Sequence, residues 1–186
     1  MLARTLTATV AAAALALVAG PMTGCSTAPK TETKRAELSE SVQGAIAQFK
    51  QQDPGMEKLF KNAYAYAVFP SVGKGGVGVG GAFGQGEVFQ GGKKVGYASL
   101  SQGTIGLQLG GQVYSEVIFF EDKASFDRFK SGELAFSAQA SAVAATAGAS
   151  ADADYRDGVM VFTMSQGGLM YEASIGGQKF SFQPLE

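Results

Sequence analysis

Between Glu37 and Lys50 the apolar residues Leu38, Val42, Ala45, Ile46 and Phe49 return every third or fourth position. Glu37, Glu40, Gln43, Gln48 and Lys50 fill the opposite face, so the spacing predicts an amphipathic helix. Asp53-Pro54 reads as an N-cap followed by proline at the first helical position. It predicts a second short helix to about Asn62, carrying Met56, Leu59 and Phe60. The period then drops to two. Tyr64–Phe69 alternates large and small residues and stops at Pro70, as a strand with one filled face does. Glycine crowds residues 71–111, yet alternation persists in Val77/Val79, in Val95/Tyr97/Ser99 and in Ile105/Leu107/Leu109. Val113–Phe120 is β-rich enough to be a central strand.

Asp122 is placed to cap a short helix bearing Phe126 and Phe129, and Gly132 to end it. After Gly158, Val159–Ser165, Leu169–Ile175 and Lys179–Gln183 read as strands. Gln166-Gly167-Gly168 and Gly176-Gly177 are the turns between them. Ala138–Ala153 carries two opposed signals. Its alanine content favours helix, whereas its alanines fall at alternate positions with one phase slip near 144–145. The periodicity predicts two small-residue strands broken by a bulge or turn. The elements add up to an α+β domain. Its sheet should be mainly antiparallel, glycine-rich and curved or barrel-like, with an N-terminal amphipathic helix pair and one short helix between strands.

The front of the chain has a different character. Arg4 precedes an apolar stretch from Leu6 to Gly20, about 15 residues, the length of a secretory h-region and short for a spanning helix. It closes on Pro21-Met22-Thr23-Gly24 before Cys25, the only cysteine. Apolar-Thr-Gly-Cys resembles a bacterial lipobox, with Met where Leu is usual. The plainer alternative is ordinary secretory cleavage beside a free thiol. On the lipobox reading residues 1–24 are a signal peptide and the Cys25 thiol is lipidated. Residues 25–36 are then a polar tether, and 37–186 form the domain. Ser26 after the cysteine resembles the Gram-negative sorting pattern for the outer membrane, with the domain facing the periplasm.

Charge narrows the function classes. The leader takes only Arg4 among the charged residues, so 15 basic and 16 acidic become 14 and 16, a net of −2. A nucleic-acid binder shows a clear basic excess, which is missing. Histidine is absent, which excludes Ser-His-Asp and Cys-His catalysis and removes the commonest transition-metal ligand. No cofactor is expected.

Gly76-Val-Gly78-Val-Gly-Gly81 spells a dinucleotide loop, but more glycine and then Glu87-Val-Phe-Gln90 follow where such a loop needs a helix. Nucleotide binding is not expected. Gly76, Gly80 and Gly84 also match a membrane glycine zipper. However, seven glycines between 75 and 86 disfavour a helix at about 1 kcal/mol each, so a bent strand pair is the better reading. Glu87, Glu116, Asp122, Asp127, Glu133, Asp152, Asp154 and Glu172 are the carboxylates a glycosidase could use. Most are expected beside turns or helix starts, and no pair stands out. Asp152, Asp154 and Asp157 lack the EF-hand glycine and distal glutamate, and read as a solvated turn. Lys74, Lys93 and Lys94 read either as a polar rim or as a small patch suited to a phospholipid headgroup.

In order, the chain carries Ala-Val-Phe69-Pro70-x-Val72-x-Lys74-x-Gly76, the glycine run, Gly106-Leu-Gln108-Leu-Gly110 and Phe126-Asp-x-Phe129-x-Ser131-Gly132. The alanine-rich stretch and Gly167-Gly168-Leu169 follow. That ordered set resembles the SYLF lipid-binding domain family over roughly residues 37–184. The resemblance implies a phospholipid-binding module without catalytic activity or cofactor. Lipid contact in relatives is attributed to the N-terminal helix and to basic residues. Here that means the Leu38, Val42, Ile46 and Phe49 face for acyl chains, with Lys74, Lys93 and Lys94 for headgroups. The polar face of the helix is not strongly basic, unlike that of most inserting helices. A phospholipid membrane is the expected partner, with protein partners open.

Overall fold

The computed structural model describes residues 27–106, 111–136, 141–166 and 173–185; Cys25 and the leader lie outside them. Helix α1 spans Glu32–Gln52 and α2 Met56–Asn62. Strands β1 (Ala65–Gln90), β2 (Lys93–Gly106) and β3 (Gly111–Phe120) follow, then α3 (Lys123–Lys130). The remainder is β4 (Ser141–Ala144), β5 (Val159–Ser165), β6 (Ala173–Ser174) and β7 (Gln178–Pro184). The strands form one open sheet in the order β6-β4-β5-β3-β1-β2-β7, antiparallel except where β4 meets β5. The α+β expectation holds.

α1 begins at Glu32 rather than Glu37, inside the stretch read as tether. Thr31 caps it, its side chain accepting from the Lys34 amide. Ahead of it, Ala28 is buried and its amide donates to Gln183 on β7. α3 is built as its residues predict: Asp122 and Ser125 form a capping box, and Gly132 turns out of the helix with φ of 75°.

β1 departs furthest from expectation. It continues past Pro70 for 26 residues in all, and the proline falls where the β1–β3 register slips between Phe69 and Val72. A residue without an N–H is tolerated at such a slip because no ladder bond is required there. β1 pairs with β3 as far as Gly75 and with β2 from Gly78 onward, and its two halves fold back against each other. The fold-back rests on glycine. A Cβ on Gly86 would stand 2.2 Å from the Val68 carbonyl oxygen, and one on Gly84 would stand 2.9 Å from a Val72 methyl.

The second small-residue strand predicted after 144–145 does not form. Gly148 adopts φ of 83° and the chain enters a short 3-10 turn, Ala149–Ala151. The Ser150 amide there donates to Asp53, which also accepts from Gly55, so this turn ties down the α1–α2 corner. Leu107, Leu109 and the Gly167-Gly168 turn fall outside the described residues.

Two apolar layers result. On one face of the sheet Tyr66, Val68, Phe89, Val117, Phe119 and Phe162 meet α1 and α2. On the other, Phe69, Val72, Ile118, Phe120 and Phe180 meet α3 and the returning half of β1.

Candidate functional site

α1 presents the face the periodicity predicts, but that face is occupied. Val42 and Phe49 are fully buried, and Leu38 and Ile46 are packed, half-buried, against the first apolar layer. In this conformation Val42 and Phe49 are closed to an acyl chain, and Leu38 and Ile46 are partly covered. Two of the flanking cations are engaged too. Arg35 lies 5.8 Å from the Tyr97 ring centre and donates to the Pro29 carbonyl, and Lys50 lies 5.6 Å from the Phe60 ring.

The three lysines do not form one patch. Lys93 pairs with Gln90 at the β1–β2 turn, where it is exposed. Its neighbour Lys94 donates to Glu87 at 2.9 Å and to Ser39 of α1 at 3.1 Å, and lies over the Tyr97 ring. Ser39 also donates to Glu87 at 2.5 Å. Burial opposes the Lys94 charge, yet the Glu87 carboxylate more than offsets it and the pKa moves up. Lys94 is therefore a clasp between α1 and the sheet.

Lys74 sits at the opposite end, across from Gln112, where β1 approaches its fold-back. Burial lowers its pKa, and no carboxylate contributes to that shift. Two large apolar side chains are exposed at this end: Val113, opposite Gly73, and Phe83, each 43 % exposed. Gly84 lies on Val72, which brings Phe83 level with Gly73 and Lys74. The sequence alone singles out neither Phe83 nor Val113 as a contact residue. Both sit in strand patterns where alternation sends them outward, and only the fold shows that no helix among the described residues covers that end.

Two of the candidate carboxylates lie in strands and are buried. Glu87 is clasped as described. Glu116 on β3 is fully buried, accepts from Gln178 at 2.9 Å, and burial pushes its carboxyl up to about 7. Asp152, Asp154 and Asp157 lie exposed around a turn. A cleft of about 290 Å³ between α1 and the sheet is lined by Ser41, Gly44, Ala45, Gln48, Pro70, Ser71, Ser115 and Gln166, none of them an acid or a base. Among the described residues no three metal-binding side chains of the His, Cys, Asp or Glu type come together. No helix among them is long and apolar enough to cross a membrane.

The family described as Ysc84, Las17-binding protein actin regulator, matches residues 101–184, from the end of β2 through β7. Beta cell expansion factor A of Aeromonas veronii is 30% identical over 156 residues, which cover 82% of this chain and 59% of that protein. The chain belongs to the SYLF family. This chain thus spans little more than half of the relative's length. Family membership supports a lipid-binding or actin-related domain, and the family is one of non-catalytic binding domains.

Proposed function

We propose that this SYLF domain binds phospholipid without catalysis, as part of a bacterial envelope lipoprotein anchored through Cys25. It meets the bilayer with the glycine-rich end of its sheet. The observation carrying this reading is that a partly desolvated lysine, Lys74, lies at the same end of the sheet as the uncovered apolar side chains Val113 and Phe83, with Val113 on the opposite face from Lys74. A cation beside exposed apolar surface suits the boundary between phosphate headgroups and acyl chains. Lys93 is a second, separate headgroup contact at the other end. Lys94 and the α1 face serve the fold.

The lipid anchor and the domain have separable roles. Buried acyl chain contributes about 0.8 kcal/mol per methylene, and the two or three chains of a lipidated cysteine hold a protein stably. Lipid binding by the domain is then function and not attachment. A structural or protein-binding envelope lipoprotein is the second reading; the burial of the α1 apolar face favours it over helix insertion. Co-sedimentation of the unlipidated domain with pure phospholipid vesicles separates the two. Saturable binding that weakens several-fold in Lys74→Glu, at unchanged thermal stability, supports the lipid reading. No binding to any bilayer composition above a control protein sinks it.

A further inference from the structure

Alternation along β3 sends Tyr114 and Glu116 to the same interior side of the sheet, and both are almost wholly buried. Thr163 on β5 lies directly across from Glu116, and Gln178 on β7 donates its side-chain amide to Glu116 Oε2 at 2.9 Å. Directly opposed residues have Cβ atoms about 5 Å apart, so Thr163 and Glu116 are side by side. The Glu116 charge acts on Tyr114, and Gln178 stands beside the Tyr114 hydroxyl. The four residues, from three strands, form one group. None is more than 2% exposed.

Each of the four has an oxygen without a hydrogen-bond partner: Glu116 Oε1, Tyr114 Oη, Thr163 Oγ1 and Gln178 Oε1. Buried polar atoms are normally paired, and buried charges are either paired or bound to a metal. The carboxylate has no ion-pair partner among the described residues. Lys74, on the neighbouring strand pair, makes no ion pair with it. The amide nitrogen of Gln178 is already directed to Glu116. What is left over is two acceptor-only oxygens, Glu116 Oε1 and Gln178 Oε1, and two hydroxyl oxygens that accept as well as donate, around a carboxylate that carries one negative charge when ionised. Above about pH 7 the carboxyl is ionised; an anion would then be repelled by it, and a neutral ligand would leave its charge uncompensated.

We propose that Glu116, Tyr114, Thr163 and Gln178 form an internal site for an alkali-metal cation, sodium or potassium. Oxygen-only donors suit hard ions. A single carboxylate matches a charge of one better than the several-carboxylate sites that hold calcium, and magnesium keeps several waters that a site this deeply buried does not favour. The ion would tie β3, β5 and β7 together from inside the sheet.

The test is the thermal midpoint of the full chain at pH 8 in sodium, potassium or choline chloride at equal ionic strength. Binding to the folded state raises the midpoint with concentration. At a hundredfold excess over Kd the shift is about 5 °C or more. The expected result is a saturable rise with sodium or potassium that choline does not give. Glu116→Gln keeps the shape, removes the charge and should abolish the rise. If that variant does not fold, Tyr114→Phe removes one oxygen and should move the cation midpoint up about tenfold. Equal midpoints in all three salts overturn the site, as does an undiminished cation response in Glu116→Gln or, where that variant does not fold, in Tyr114→Phe.

Discussion

At the scale of single residues, two glycines of like appearance in the sequence have opposite roles. Gly86 lies against the Val68 backbone, where an added Cβ meets the carbonyl oxygen at 2.2 Å, while Gly44 on α1 has nothing within 4 Å. Gly86→Ala should therefore destabilise by about 3 kcal/mol or prevent folding, because backbone cannot step aside. Gly44→Ala should stabilise by about 0.5–1 kcal/mol through helix propensity. Chemical denaturation of the two variants checks the contrast. Asp53 is the second sensitive residue. Burial works against its charge, but bonds from Ser150 and Gly55 prevail and hold its pKa below 3.8. An acid with a depressed folded pKa contributes stability above its unfolded value, and that contribution is lost as pH falls through the folded value. Asp53→Ala should cost about 2 kcal/mol at pH 7. Its deficit against the parent should shrink below about pH 3.8, read from denaturation midpoints across pH 2–7. The side-chain roles of Asp53 are only half legible in the sequence. Asp53-Pro54 announces a helix corner, but Ser150, its distant partner, lies in a segment whose periodicity points to a strand.

At the scale of elements, α1 is the instructive case. Its apolar positions are legible from spacing alone, and a helix forms on them. Spacing cannot say what the face will meet, because an insertion helix and a core helix share one pattern. Tertiary packing settles it: Phe49 and Val42 are sealed against the sheet, and Ser39, Glu87 and Lys94 fasten the N-terminal half. Phe49→Asp should therefore unfold the domain globally, since an unpaired carboxylate replaces a buried ring. Loss of the near-ultraviolet circular dichroism and of cooperative melting is the expected outcome. A folded variant with normal melting would place α1 outside the core. β1 misleads for a related reason. Pro70 and the glycines read as breaks, whereas the fold uses them as a register slip and a close approach within one continuous strand. Alternation survives the glycines, and that signal is the more faithful guide.

At the scale of the whole molecule, fold class and helix order are readable because they rest on periodicity and caps. Sheet order is not, since the pairings of β1 with β3, of β3 with β5 and of β2 with β7 join residues far apart in the chain. The site suffers accordingly. Lys74, Lys93 and Lys94 share one glycine-rich stretch of sequence, yet the fold puts Lys74 at one end of the sheet and the other two at its opposite end. Among the described residues the large apolar side chains left exposed are Phe83 and Val113, at the Lys74 end, together with Val143 and Leu185. The central claim is that this end, and not α1, meets phospholipid. The chain has no tryptophan, so Phe83→Trp installs a single indole there against a dark background. Titrating that variant with phospholipid vesicles measures contact at the proposed surface directly. A saturable blue shift and intensity gain, tracking co-sedimentation, is the predicted result. Vesicle binding that leaves the indole emission unchanged, or no binding at all, would contradict it.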